Sequence, residues 1–152
     1  MKQITTLRQS WVWREKVIDF VKNRIKGHSL NVCAGKNLIC DVNLDADPEA
    51  RFKGQYHLRE SKGEFVQGDM NELPFDDESF DTVVSDPPWK IGYYQRPKPF
   101  FECVRVCKLG GTIIYNAYHI PTSKLCKLKE TVIRTDYEWG NASIISVFER
   151  IR

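Results

Sequence analysis

The segment 67–89, "QGDMNELPFDDESFDTVVSDPPW", is the stretch from which the architecture of this chain can be read. It opens at the end of "EFVQGDM" (64–70), which reads as a strand, and passes through the turn-rich "LPFDDES". "FDTVVSD" (80–86) then reads as the next strand, left through Asp86, Pro87 and Pro88. Proline lacks a backbone N–H and fixes its own φ, so two in succession end any ladder and set the chain in a rigid extended path. The carbonyls before and between them stay free. A carboxylate, nearby fixed acceptors and the flat indole of Trp89 suit a planar group that bears N–H donors.

Upstream, Ser10 to Lys26 places Trp13, Val17, Ile18, Phe20, Val21 and Ile25 on one helical face, with Arg14, Lys16, Asp19, Lys22 and Arg24 opposite. Ser10 is placed to cap this helix and Gly27 to stop it. "SLNVCAG" (29–35) reads as a short buried strand breaking at glycine, and "ICDVNLDAD" (39–47) as a strand ending in acids. Downstream, "PKPFFECVRVCKLGG" puts Phe100, Cys103, Val104 and Cys107 on one helical face and closes with a double glycine. "TIIYNAY" (112–118) is a further strand, Ser123 to Ile133 carries a mixed helical signal, and "RTDYEW" and "ASIISVFERI" (142–151) read as two closing strands. This alternation argues for an α/β domain with a mainly parallel sheet. Ligands gather at the carboxyl ends of such strands. Gly35, Asp45, Asp69 and Asp86 each end one of four consecutive strands.

At 152 residues the chain is most simply one domain, and 41% hydrophobic with 28% charged residues is ordinary for a globular protein. Its 23 Lys and Arg against 20 Asp and Glu give a net charge of +3, which permits a polyanionic partner without requiring one. The five cysteines are an odd set with no CxxC pair, and His28, His57 and His119 lie at no zinc-ligand spacing from them, so no metal is expected. A reducing cytoplasm fits this usage, with Cys103 and Cys107 as buried small hydrophobes. There is no apolar run of eighteen or more, and "MKQITTLRQSW" lacks the apolar core of a signal peptide, so no membrane association is expected.

With these residues in view, the chain resembles the Rossmann-like S-adenosylmethionine-dependent methyltransferases, specifically those that methylate exocyclic amino groups of nucleobases and carry [DNS]PP[YFW]. The resemblance rests on "NVCAG" (31–35), "VNLDAD" (42–47), "QGDMNELPFDDESFDTVVSDPPW" (67–89) and "CKLGGTIIYNA" (107–117), in the family's order. It implies a mainly parallel seven-stranded sheet with helices on both faces, and a single minimal methyltransferase domain over 1–152 without a separate target-recognition domain. It also implies roles. Cys33, Ala34 and Gly35 would lie against S-adenosyl-L-methionine, Asp45 would accept from the ribose hydroxyls with Asp47 as its rival, Asp69 from the adenine amino group, and Met70 would pack on the purine. Asp86, Pro87, Pro88 and Trp89 would hold the methyl acceptor, with Asp86 also bordering the cofactor.

One spacing departs from the pattern. Nucleotide-binding α/β units place the ribose acid about 20 residues beyond the glycine loop because a helix intervenes. Asp45 follows Gly35 by only ten positions, so the helix nearest the cofactor is shortened or absent and Lys36 is the candidate for its missing positive charge. Past Trp89, the loop "KIGYYQRPK" interleaves Tyr93 and Tyr94 with Lys90, Arg96 and Lys98, a composition suited to phosphates and bases or to a solvated lid. "RFKGQYHLRESK" (51–62) is a second basic stretch. The reading is methyl transfer to a nucleobase amino group in DNA or RNA, adenine N6 ahead of cytosine N4 and guanine N2, with a protein partner for target recognition. The rivals are a non-catalytic methyltransferase-like subunit that binds nucleic acid and a methyltransferase for a small metabolite or protein side chain.

Overall fold

A computed structural model describes residues 1–4, 13–52, 61–88, 91–135 and 142–152. Its strands are β1 (Lys2–Ile4), β2 (Ser29–Val32), β3 (Val42–Asp45), β4 (Glu64–Gln67), β5 (Phe80–Ser85), β6 (Cys107–Ala117), β7 (Cys126–Arg134) and β8 (Ser143–Arg150). Two α-helices stand among the described residues, α1 (Glu15–Lys22) and α2 (Pro97–Val106), with short 3-10 turns at Ala50–Phe52 and Tyr93–Gln95. The strands form one sheet in the order β1-β7-β8-β6-β5-β2-β3-β4. β8 is antiparallel to both β6 and β7, and the other pairs are parallel. This is the expected Rossmann-like methyltransferase architecture.

The apolar strands supply both faces, as expected of a sheet covered on each side. Val83 and Ile113 face one core with Leu30, Val32 and Leu44, while Val84 and Ile114 face the other with Ile145 and Val147. α2 covers the first face. Its Phe100 sits edge-on to Tyr115 at 5.2 Å and against Phe148 at 5.1 Å. α1 covers the second face through Val17, Phe20 and Val21, joined by Trp13 from the segment before it. Glu15 in its first turn and Lys22 in its last suit the helix dipole.

Several local expectations are corrected. The sheet has eight strands because Lys2–Ile4 pairs in parallel with Val132–Arg134 at the edge. The segment with the mixed helical signal is β7, since pairing with β8 along Cys126–Arg134 outweighs local propensity. α2 stops before the double glycine: Cys107 is already extended, and Gly110 and Gly111 lie within β6 where its register against β5 shifts. A Cβ on Gly111 would approach the carbonyl oxygens of Asp81 and Lys108 to 2.8 Å, so a residue without one is required there. Ser10, residues 53–60 of the second basic stretch and most of "RTDYEW" lie outside the described residues.

The carboxylate of Asp41 ties the start of β3 to its neighbours. It accepts from the Ser29 backbone N–H at 2.9 Å and hydroxyl at 3.0 Å, and pairs with Lys62 at 2.9 Å. The bond to Lys62 leads the causes that push its pKa down to about 2. A carboxylate whose pKa is lower folded than unfolded contributes stability above its unfolded value, near 3.9, and loses that contribution as pH falls through its folded value. Thermal melts between pH 5 and pH 2.5 should therefore show a falling Tm that is less steep in Asp41→Asn; parallel slopes in the two proteins would contradict this assignment.

Candidate functional site

The chain runs outward from β2 to β3 and β4, then returns to β5 on the other side of β2. The carboxyl ends of β2 and β5 thus flank the point where strand order reverses, where open α/β sheets form their crevice. Cys33 and Gly35 follow β2 with positive φ of 56° and 53°, bending the backbone sharply above the strand. The turn is pinned to the end of β3, with Ala34 N–H bonded to the Leu44 carbonyl at 3.0 Å and Gly35 N–H to Asp45 Oδ2 at 2.9 Å. Asp47 N–H reaches Asp45 Oδ1 at 3.0 Å, while the Asp47 side chain accepts from Glu49 N–H at 2.9 Å. Asp45 is therefore fixed beside the turn and Asp47 caps the bend that follows. No helix lies between Cys33 and Asp41, as the short spacing predicts. Lys36 and Asn37 in that connection are buried.

Asp69, exposed after β4, accepts on Oδ1 from the Asn71 backbone at 2.8 Å and side chain at 3.1 Å. It caps a turn while its second oxygen has no protein donor among the described residues. Met70 Sδ lies 3.5 Å from Cys33 Sγ, bringing the ends of β4 and β2 together. Burial first, then the charges of Asp45 and Asp86 and, more weakly, Asp69, push the Cys33 thiol well above its ordinary value. Cys33 is thus a neutral thiol on which three strand-end acids converge.

Asp86 N–H closes onto the Val32 carbonyl at 3.2 Å, joining the acid motif to the end of β2. Its carboxylate accepts from Trp13 Nε1 at 3.0 Å on Oδ2 and from Asn116 Nδ2 at 2.8 Å on Oδ1. Ser143 Oγ donates to Asn116 Oδ1 at 2.7 Å. These partners were missing from the sequence reading. Trp13 fell on the apolar face of a helix, and only the placement of Asn116 within an otherwise apolar strand carried any signal. Pro87 and Pro88 line a small cleft with Ile91, Arg96, Tyr118 and His119. Burial, then Arg96, holds the His119 pKa below its usual value. Tyr93 and Tyr94 are exposed, their rings 5.4 Å apart, and the Arg96 guanidinium lies 5.8 Å from the Tyr93 ring. Trp89 and Lys90 lie outside the described residues.

Residues 26–115, more than half of the chain, match the methyltransferase-domain family. The chain belongs to that family. Among solved structures, this methyltransferase is similar to an S-adenosylmethionine-dependent methyltransferase from Methanosarcina mazei, at TM-score 0.62 and 11% identity, over 87% of this chain and 97% of that one. A Haloferax volcanii methyltransferase solved with the activator Trm112 gives TM-score 0.61 and 15% identity over 88% of each chain. Among curated proteins, the phthiotriol/phenolphthiotriol dimycocerosates methyltransferase of Mycobacterium leprae is 44% identical over 52 residues, 34% of this chain and 19% of that protein. The chain thus spans about a fifth of the length of that relative.

The cofactor is S-adenosyl-L-methionine, and the residues present fit it. It offers hydroxyl and amine donors and a cationic sulfur, and this site offers chiefly acceptors and negative charge in Asp45, Asp69 and Asp86. Among the described residues, no group of three or more His, Cys, Asp or Glu is placed to share a metal ion, and no helix is long and apolar enough to cross a membrane. Asp45→Ala is expected to weaken cofactor binding by about 1.5–3 kcal/mol through loss of a charge-assisted bond. Calorimetry checks this, and unchanged affinity alongside a loss in Asp47→Ala would move the role two residues on.

Proposed function

We propose that this methyltransferase modifies an exocyclic amino group of a nucleobase in nucleic acid, with adenine N6 the favoured position and cytosine N4 and guanine N2 the alternatives. The observation that carries the reading is Asp86-Pro87-Pro88 at the end of β5, its carboxylate held at the switch point and its prolines lining the adjoining cleft. The resemblance of this motif to adenine-directed enzymes favours N6.

When bound, S-adenosyl-L-methionine supplies a methyl group already activated by its sulfonium. Asp45, Asp69 and Met70, with the turn at Cys33, Ala34, Gly35 and Lys36, would hold it. An exocyclic amine is a poor nucleophile because its lone pair is delocalised into the ring. The Asp86 carboxylate, held by Trp13 and Asn116, would accept one amine N–H while the Pro87 carbonyl accepts the other. Both bonds favour a pyramidal nitrogen and stabilise the positive charge that develops on it. Trp89 supplies a stacking face for the base, and Lys90, Tyr93, Tyr94 and Arg96 supply cationic and aromatic contacts for the flanking strand. The Haloferax neighbour's complex with an activator supports a protein partner here as well.

A second reading, a small-molecule acceptor, is favoured by the stretch of identity with the mycobacterial enzyme. Incubation with methyl-labelled cofactor and a panel of DNA, RNA, nucleosides and lipid or small-molecule hydroxyl acceptors, followed by mass spectrometry, separates the two. Label on N6-methyladenine is expected; label confined to a non-nucleotide acceptor would overturn the nucleobase reading. Asp86→Ala should abolish transfer while cofactor affinity changes little, and wild-type turnover in that variant would remove the acid from the mechanism. Trp89→Ala should cost roughly 1–3 kcal/mol of acceptor binding, with much of it retained in Trp89→Phe. In a binding titration beside thermal melts, a large fall in Tm with unchanged affinity would refute stacking.

A further inference from the structure

We propose that Trp13 is a positioning residue that joins the two halves of the site: its backbone N–H holds the cofactor turn through Asn37, and its indole N–H, together with the Asn116 amide, holds the Asp86 carboxylate. The inference deepens the nucleobase reading and rests on it for the role of Asp86. Asn37 belongs to the same turn as Gly35, since its N–H bonds to the Ala34 carbonyl at 2.8 Å. Its side-chain oxygen accepts from Trp13 N–H at 2.8 Å, and its carbonyl accepts from Asn31 Nδ2 at 2.6 Å. From that anchored backbone the indole reaches Asp86 Oδ2 at 3.0 Å, across 73 positions of sequence.

Asp86 is gripped on both oxygens by groups with little freedom. Trp13, Asn37 and Asn116 are each no more than 3% exposed, so a bond lost here leaves a buried donor unpaired. The Asn116 amide cannot turn over without losing the hydroxyl of Ser143, itself 1% exposed, at Oδ1. A carboxylate held by one donor can rotate about its own axis; one held on each oxygen by a different buried donor cannot. Trp13 packs in the core with Val17, Phe20 and Val84, so the core itself sets where the acid stands. Packing alone would be served by any large apolar ring. The polar atom of the indole instead meets the acid of the acceptor motif.

Trp13→Phe removes only the side-chain donor and keeps the backbone bond to Asn37. With adenine-containing oligonucleotides it should lower kcat by about ten- to a hundred-fold, as small misplacements of reacting groups do, while the calorimetric Kd for S-adenosylmethionine stays within about two-fold. Nitrogen-15 NMR supplies a readout that packing alone would not move. The Trp13 indole N–H signal, identified by its absence in Trp13→Phe, should shift in Asp86→Asn. An unshifted Trp13 signal in Asp86→Asn, or wild-type kcat in folded Trp13→Phe, overturns the proposal. Should Trp13→Phe not fold, Asn116→Ala tests the opposite arm: a fall in kcat with the indole signal retained supports the grip, and undiminished kcat overturns it. If wild-type protein methylates no oligonucleotide, the nucleobase reading fails, and the indole shift alone decides whether Trp13 grips Asp86.

Discussion

Parallel pairing on both sides of β2 is the constraint on which the rest of this structure depends. β2 lies between β3 and β5, so the chain must travel outward to β4 and come back across its own first parallel strand. Side-by-side parallel strands carry their carboxyl ends to one edge, and the reversal of direction prevents the connections from covering that edge. The gap is opened by topology before any functional side chain is placed. Leu30, Val32, Val83 and Ile113 have no exposed surface, which makes the pairing costly to disturb.

The connections across this edge are short. Where a helix would usually follow the glycine turn, Cys33 to Asp41 forms only turns, and the backbone hydrogen bonds that a helix would satisfy internally go elsewhere. Ala34 and Gly35 donate to β3, Asn37 donates back to Ala34 and accepts from Trp13, and Lys62 donates to the Leu38 carbonyl. This turn thus takes its rigidity from neighbouring strands and from the segment ahead of α1. Side-chain amides do much of this work, as buried polar groups must be paired to be tolerated.

Charge follows the same geometry. Three strand-end carboxylates act on the Cys33 thiol, while Trp13 and Asn116 meet Asp86 with neutral donors. Anions gathered at the strand ends suit a cationic cofactor, with the buried Lys36 standing in the neighbouring turn. Arg96 stands to one side, near Tyr93 and His119 in the cleft beside Pro87 and Pro88.

Local chemistry was enough for the architecture and for the backbone of the site. Apolar runs broken by glycine and proline mark strands because backbone conformation and burial are local properties, and the ends of those runs place Gly35, Asp45, Asp69 and Asp86 in order. The ten-residue spacing from Gly35 to Asp45 also foretold the missing helix, since so few residues cannot form one and return to the sheet. β7 was misread because its residues favour neither state strongly and pairing with β8 decides between them. The grip of Trp13, Asn37, Asn116 and Ser143 on the site belonged to tertiary structure alone. A hydrogen bond between residues 13 and 86 has no local signature: the indole reads as one more apolar position until α1 packs on the sheet and brings its N–H to the acid.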